Sequence, residues 1–130
     1  MKLLFTGASG FLGRNIYQLL EKTYVIKTVG LTPQDDYKID IARNIPVLEV
    51  FDIVLHAAGK AHSTPKTEEE KQAFFDVNLQ GTKNLCTALE NGGIPESFIF
   101  ISSVAVYGCD SGEKITENHS LNGTTPYALS

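Results

Sequence analysis

The amino-acid sequence predicts an α/β fold, a doubly wound parallel sheet with helices on its faces. Two observations predict it. Short apolar runs alternate with stretches of helical periodicity from the N-terminus to about residue 100, which is the signature of βαβ units. A glycine cluster, "TGASGFLG", sits between the first such run and the first helical stretch. With 130 residues, the chain has the length of one domain and can hide roughly two thirds of its unfolded surface.

The elements follow in order. "KLLFTG" is an apolar run closed by glycine and reads as a buried strand. From Phe11 to Lys22, Leu12, Ile16, Leu19 and Leu20 fall at helical spacing. "YVIKTVG" is a second strand, rich in β-branched residues, and "DYKID" a short third. "ARNIPVLEV" reads as a short helical stretch with Pro46 near its start, and "DIVLHAAG" as a fourth strand. In "TEEEKQAFFDVNLQGTKNLCTALENGG", Thr67 and Glu70 form a capping box, and the acidic first turn suits the helix dipole. Phe74, Val77, Leu85 and Ala88 supply the apolar stripe, and Asn91-Gly92-Gly93 stops the helix. "SFIFISS" is a fifth strand. The polar stretch "CDSGEKITENHSLNGTTP" is long for a structureless connection, and such loops often carry function. Crossovers between parallel strands are expected to be right-handed.

Composition excludes some classes. Hydrophobic residues make up 42% and charged residues 20%, with a net charge of −4; these are ordinary values for a globular protein, and no basic patch suggests nucleic-acid binding. No segment approaches the roughly 20 apolar residues of a membrane span. The first apolar run is broken by glycines before a signal-peptide core could form. Cys86 and Cys109 are far apart and form no CxxC, so they read as free thiols of a reducing compartment. The expected location is cytoplasmic, and the N-x-[ST] matches at Asn118 and Asn122 read as chance.

Gly7, Gly10 and Gly13 are spaced G-x-x-G-x-x-G. Gly7 permits a tight turn, Gly10 lets main chain approach a pyrophosphate, and Gly13 allows close helix–strand packing. The helix N-terminus beyond them, beginning with Phe11 and Leu12, offers free N–H groups and partial positive charge. The alternative is a plain glycine-rich turn; the position between strand and amphipathic helix favours dinucleotide binding. No GK[ST] follows, which disfavours a P-loop. An acid is expected at the end of the second strand, on the ribose 2′-hydroxyl of NAD. That place reads "VGLTP", and Gly30, Leu31 and Thr32 offer no carboxylate and no Arg for a 2′-phosphate. Asp35 or Asp36 could substitute from the loop, so the choice of NAD or NADP stays open.

Six segments in order, "TGASGFLG", "KIDI", "HAAGK", "VNLQGTKNL", "ISSVAVYG" and "PYALS", resemble the extended short-chain dehydrogenase/reductase family, in particular its NAD-dependent nucleotide-sugar epimerases. The resemblance implies a Rossmann-type sheet of strand order 3-2-1-4-5. It implies that Asp40 and Ile41 hold the adenine and that Ala57, Ala58, Gly59 and Lys60 line the cofactor. Asn78 would support the active site, Ser102 would be the neighbour of the catalytic Ser103, and Tyr127 would be the catalytic tyrosine. His56 reads as a packed or backbone-bonded residue, and His62 as a loop residue that could lie near substrate.

The family's tyrosine belongs to Y-x-x-x-K, and here Tyr127 to Ser130 supply Y-x-x-x before the sequence stops. The resemblance therefore implies a dinucleotide-binding domain over 1–130, incomplete at its C-terminal end, with the substrate domain absent and little activity in this chain alone. It implies that Tyr127 acts as acid/base, Ser103 orients a hydroxyl or carbonyl, and hydride transfer proceeds through a keto intermediate. A free tyrosine holds its proton to about pH 10, so the pattern's lysine is needed to favour the phenolate. Sugar dehydratases carry Asp-Glu after the catalytic Ser/Thr; Val104 and Ala105 stand here, which disfavours dehydration. A reductase of a keto-sugar or other carbonyl, and a non-catalytic dinucleotide-binding regulator, remain alternatives. The expected partners are a nucleotide-sugar and a further copy of the chain in a homo-oligomer, with neither nucleic acid nor membrane.

Overall fold

The computed structural model describes residues 1–61, 63–109 and 111–130. Strands β1 (Lys2–Thr6), β2 (Val25–Gly30), β3 (Tyr37–Lys38), β4 (Ile53–His56) and β5 (Ser97–Phe100) form one parallel sheet in the order β3-β2-β1-β4-β5. This is the doubly wound order. The α-helices are α1 (Phe11–Leu20), α2 (Glu68–Phe74), α3 (Gly81–Gly92) and α4 (Pro126–Leu129).

Central strands of such a sheet are buried on both faces and so read as unbroken apolar runs. In β1 the side chains divide by parity. Leu3 and Phe5 pack with Leu55 against Ile16, Tyr17 and Leu20 of α1. Leu4 faces the opposite side with Val29, Phe51 and Val54, against Leu85, Ala88 and Leu89 of α3. Each fully buried Leu or Phe contributes about 1.5–3 kcal/mol from removal of apolar surface from water. The order reverses between β1 and β4, and the crevice outside their C-terminal ends is where such sheets bind ligands. Thr6 and His56 are the last paired residues there.

Two expectations are corrected. "ARNIPVLEV" is not helical. It holds only the turn in which Arg43 and Asn44 N–H groups donate to the Asp40 carbonyl at 3.1 and 2.9 Å. Pro46 lacks an N–H and biases Ile45 towards extended backbone, so the turn cannot propagate. The stretch after Thr67 is helical without a break from Glu68 to Gly92, as expected, but it is not α-helical throughout. A π-helical segment, Phe75–Gln80, separates α2 from α3. The predicted cap is present, with Glu70 N–H donating to Thr67 Oγ1 at 3.2 Å. The capping box is not reciprocal, because Glu70 Oε2 accepts from Lys66 N–H at 2.6 Å instead.

Strand β5 lies at the sheet edge, hydrogen-bonded to β4. Phe98, Ile99, Phe100 and Ile101 are 39%, 48%, 52% and 44% exposed. An exposed apolar edge strand is a template for pairing with another chain. The 130-residue chain is therefore expected to self-associate as concentration rises, and Ile99→Lys to oppose this. Sedimentation velocity over a wide concentration range checks it; an unchanging monomer would count against it.

Candidate cofactor and active site

The glycine turn brings β1 to α1 with little room to spare. Gly7 has φ +78°, and a Cβ on it would lie 2.6 Å from both the Ala57 carbonyl carbon and the Ala58 nitrogen. The turn is thus pressed against the segment that leaves β4. Gly10 N–H donates to Gly7 O at 3.0 Å, and a Cβ on Gly10 would meet only that carbonyl oxygen, at 3.2 Å. Its outer side is open for close approach. Gly13 is buried, and its Cβ would lie 2.3 Å from Ala8 O. The tight contact is therefore with the loop rather than with the strand that the spacing suggests.

Helix α1 starts without a side-chain cap at Gly10 and without an acid in its first turn. By contrast Thr67 caps α2, and Thr125 caps α4. Uncapped N–H groups and the helix dipole at α1 suit an anion such as a pyrophosphate. The open face of Gly10, beside exposed Phe11 and Leu12, gives such a group main chain to approach. The residues present therefore fit a dinucleotide.

Across the crevice, a hydrogen-bonded chain runs through a buried histidine. His56 is 1% exposed. Its Nδ1 is 2.5 Å from Thr6 Oγ1 and its Nε2 is 2.8 Å from Thr82 Oγ1. The Thr82 hydroxyl donates to the Asn78 carbonyl at 2.5 Å, so it accepts from Nε2–H. Nδ1 is then the acceptor of the Thr6 hydroxyl, and Thr6 Oγ1 accepts from Ala58 N–H at 3.2 Å. The imidazole is neutral in this arrangement, and its burial pushes its pKa down to about 4. His56 is thus packed as expected, but bonded to side chains rather than to backbone.

Asn78 lies in the π segment and holds the other wall. Its Oδ1 accepts from Lys60 N–H at 2.6 Å, while Nδ2 reaches Lys60 O at 3.1 Å and Ser130 Oγ at 2.9 Å. It therefore ties the Ala57–Lys60 segment to α4. The Lys60 ammonium rests over the Phe74 ring at 5.5 Å, and Phe74 in turn packs on Tyr127, with ring centroids 6.3 Å apart.

Ser103 opens a 3₁₀ turn, Val104–Tyr107, and its Oγ accepts from Ala105 N–H at 3.2 Å. Gly108 ends the turn at φ +64°, a conformation that favours glycine. The chain returns through Gly123, whose N–H donates to Val106 O at 3.0 Å. A Cβ on Gly123 would lie 2.5 Å from Ala128 Cβ and 2.7 Å from Ala105 O. That close approach seats α4, which Thr125 caps and Pro126 begins. As a result Ser102, Ser103 and Tyr127 line one cavity with Ala57, Ala58, Gly59 and Asn78. Phe100, Ile101 and Val106 give it apolar walls. Its volume is about 210 Å³, below the roughly 300–1,000 Å³ of pockets for larger ligands; it suits one ring rather than a whole dinucleotide.

Other expected positions lie apart from this cavity. Leu31 is exposed at the end of β2. Asp40 Oδ1 accepts from Ala42 N–H at 3.0 Å, and Oδ2 lies 3.6 Å from Arg43 Nε. The Ile41 side chain is in the core, and its carbonyl accepts from Asn84 Nδ2 at 2.7 Å. His62 lies outside the described residues. Thr6, Thr82 and Gly123 were not expected in the site. Of these, Gly123 had a signal, the turn-forming Asn-Gly before a Thr-Pro helix start.

The family model described as "NAD dependent epimerase/dehydratase family" matches residues 3–130. The chain belongs to the NAD dependent epimerase/dehydratase family. Within that epimerase/dehydratase family, it is 33% identical over 126 residues to an N-acetyl-alpha-D-glucosaminyl-diphospho-ditrans,octacis-undecaprenol 4-epimerase of Escherichia coli O157:H7, covering 90% of this chain and 36% of that protein. It is 29% identical over 137 residues to a GDP-6-deoxy-D-mannose reductase of Pseudomonas aeruginosa, covering 99% of this chain and 43% of the other. The crystal structure of a UDP-glucuronic acid 4-epimerase from Bacillus cereus, in complex with UDP-glucuronic acid and NAD, is 26% identical with a TM-score of 0.79; the match covers 99% of this chain and 48% of that one. The chain thus spans less than half the length of these relatives. Among the described residues, no helix is long and apolar enough to cross a membrane.

The buried histidine makes stability depend on pH. Above its ordinary pKa of 6.5, His56 is neutral in both the folded and unfolded chain. Between 6.5 and about 4 only the unfolded chain takes up the proton, so stability falls as pH falls and levels off below about 4. The expected loss is on the order of 3 kcal/mol. Urea unfolding at pH 7 and pH 4.5 checks it, and His56→Gln should flatten the dependence. Thr82→Val should cost about 1–3 kcal/mol by stranding Nε2–H, whereas Thr82→Ser should cost much less.

Proposed function

We propose that the chain is the cofactor-binding part of an NAD(P)-dependent nucleotide-sugar epimerase. What supports this most is the single cavity lined by Ser103, Tyr127 and the small residues Ala57, Ala58 and Gly59 beside the glycine turn. The epimerase relatives add weight to the substrate class, since their names specify sugars carried on diphosphates.

When bound, NAD or NADP would take a hydride from the sugar carbon and return it, with a keto-sugar between the two transfers. Gly7, Gly10 and the first turn of α1 would hold the pyrophosphate, and Asn78 fixes the Ala57–Lys60 segment through its two bonds to Lys60. Tyr127 removes the proton from the reacting hydroxyl and later returns it. Ser103 orients the same oxygen. Its Oγ already accepts from Ala105 N–H, so its own proton is free to point into the cavity. Phe100, Ile101 and Val106 give the reacting carbon an apolar wall. Val104 and Ala105 bring no acid–base pair for dehydration.

A second reading, reduction of a keto-sugar, draws on the match to the reductase, which covers 99% of this chain. The two readings differ in product. An epimerase returns both sugar epimers with no net use of NADH, whereas a reductase consumes reduced cofactor in proportion to product.

The 130 residues alone should bind a dinucleotide by titration calorimetry but give little turnover, since they span less than half the length of the relatives. A chain extended to the length of those relatives should turn over. In it, Tyr127→Phe and Ser103→Ala should each lower kcat by about 10²–10⁴-fold. Substantial turnover by the short chain, or by Tyr127→Phe, would sink the assignment.

A further inference from the structure

At the end of the second strand of a dinucleotide-binding sheet, an acid can accept from the adenosine ribose 2′-hydroxyl and repel a 2′-phosphate. Strand β2 ends at Gly30, which has no side chain. Gly30 follows Val29, the partner of Thr6 in the last β1–β2 pair, so it stands alongside the head of the glycine turn. The space beyond its Cα is nevertheless filled. A Cβ built on Gly30 would lie 2.5 Å from Asp35 Oδ2, 2.7 Å from Asp35 Cγ and 2.8 Å from Asp35 Oδ1. The Asp35 carboxylate therefore occupies the volume in which a side chain of residue 30 would begin.

A turn closed on itself brings it there. Asp35 N–H donates to the Thr32 carbonyl at 3.2 Å. The Thr32 N–H and hydroxyl donate to Asp35 Oδ2 at 2.9 and 2.7 Å. Both of these side-chain bonds fall on Oδ2, so Oδ1 keeps its acceptor capacity, on a half-buried side chain whose direction is already set. Asp36 is differently placed. Its Oδ1 pairs with Lys27 Nζ at 2.8 Å, and its Oδ2 accepts from Thr28 N–H at 2.9 Å. Asp36 is therefore engaged along β2, short of the strand's end.

We propose that Asp35 is the specificity-determining residue of the adenosine subsite: its free carboxylate oxygen accepts from the ribose 2′-hydroxyl, its charge rejects a 2′-phosphate, and the chain takes NAD over NADP. This rests on the dinucleotide reading above and deepens it. Gly30 is then needed because any Cβ would displace the carboxylate. Lys38, the β3 partner of Gly30, is the nearest cation in the register and the residue that would serve a 2′-phosphate if Asp35 did not exclude one.

Titration calorimetry of the 130-residue chain with 5′-ADP and 2′,5′-ADP tests this at the adenosine end alone, and NAD and NADP repeat it with the whole cofactor. The wild-type chain should bind 5′-ADP at least about tenfold more tightly than 2′,5′-ADP, the scale of one hydrogen bond to a charged group. Asp35→Asn keeps an acceptor for Thr32, so the turn persists; it should weaken 5′-ADP by about tenfold and erase or invert the preference. Asp36→Asn should leave the ratio unchanged. Equal or tighter binding of 2′,5′-ADP by the wild-type chain, weakened by Lys38→Ala, would overturn the proposal. So would an unchanged ratio in Asp35→Asn. Binding of neither nucleotide nor dinucleotide would fail the dinucleotide reading itself and this proposal with it, whereas binding without discrimination would fail the Asp35 assignment alone.

Discussion

The structure depends on how closely two main-chain segments approach at the C-terminal ends of β1 and β4. Gly7 is in the left-handed region, and the nearest main-chain atoms of Ala57 and Ala58 stand 2.6 Å from where its Cβ would be. No other residue type fits there without moving one strand end from the other. This contact narrows the crevice at the reversal of strand order and sets the start of α1 against it. Larger side chains at Ala57, Ala58 and Gly59 would fill the cavity that these residues line with Ser103 and Tyr127.

The contact is fastened from behind by the neutral His56. Thr6 and Thr82 give the imidazole one donor and one acceptor, so its two nitrogens are satisfied without a charge in the core. The cost is that protonating the imidazole would reverse the Thr6 bond, with Nδ1–H donating to Oγ1, and would put a charge in the core. The same chain of hydrogen bonds ends on the Asn78 carbonyl, in the π-helical segment. That segment has a structural use. It carries Asn78 itself between α2 and α3, and Asn78 reaches Lys60 and Ser130 while Leu85, Ala88 and Leu89 remain on the core. One hydrogen-bonded path thereby links the strand ends, the wall of the cavity and the helix bearing Tyr127.

Charge is distributed to the same end. The starts of α2 and α4 are satisfied by threonine caps, and α2 also by acids, whereas α1 has neither. Acids stand instead in the loop after β2, where Asp35 and Asp36 have separate partners only because that loop turns back on Thr32 and Thr28. The cavity between Ser103 and Tyr127 is lined mostly by apolar and small groups, which makes each of its few hydroxyls count.

Much of this was legible in the residues. Apolar runs alternating with helical periodicity are enough to specify a parallel α/β sheet, because strands buried on both faces and helices buried on one leave different patterns. The glycine spacing marked the first strand–helix turn, since close approach of main chain excludes a Cβ. Thr67 marked a helix start for an equally local reason. Pattern did not reveal the π segment, whose apolar residues Phe75, Val77 and Leu79 fall two apart between helical stretches on either side. It did not reveal the failure of residues 42–50 to form a helix, where Pro46 outweighed periodicity. Nor could it choose between Asp35 and Asp36, find the partners of His56, or show Gly123 packed on Ala105 and Ala128. What the sequence determined by itself was local: element types, turn positions and the capping of helices, all set by interactions a few residues apart. The tertiary structure alone decided which distant side chains share a cavity or a proton, because those contacts depend on strand order and on ångström-scale approach between segments some 20 to 50 residues apart.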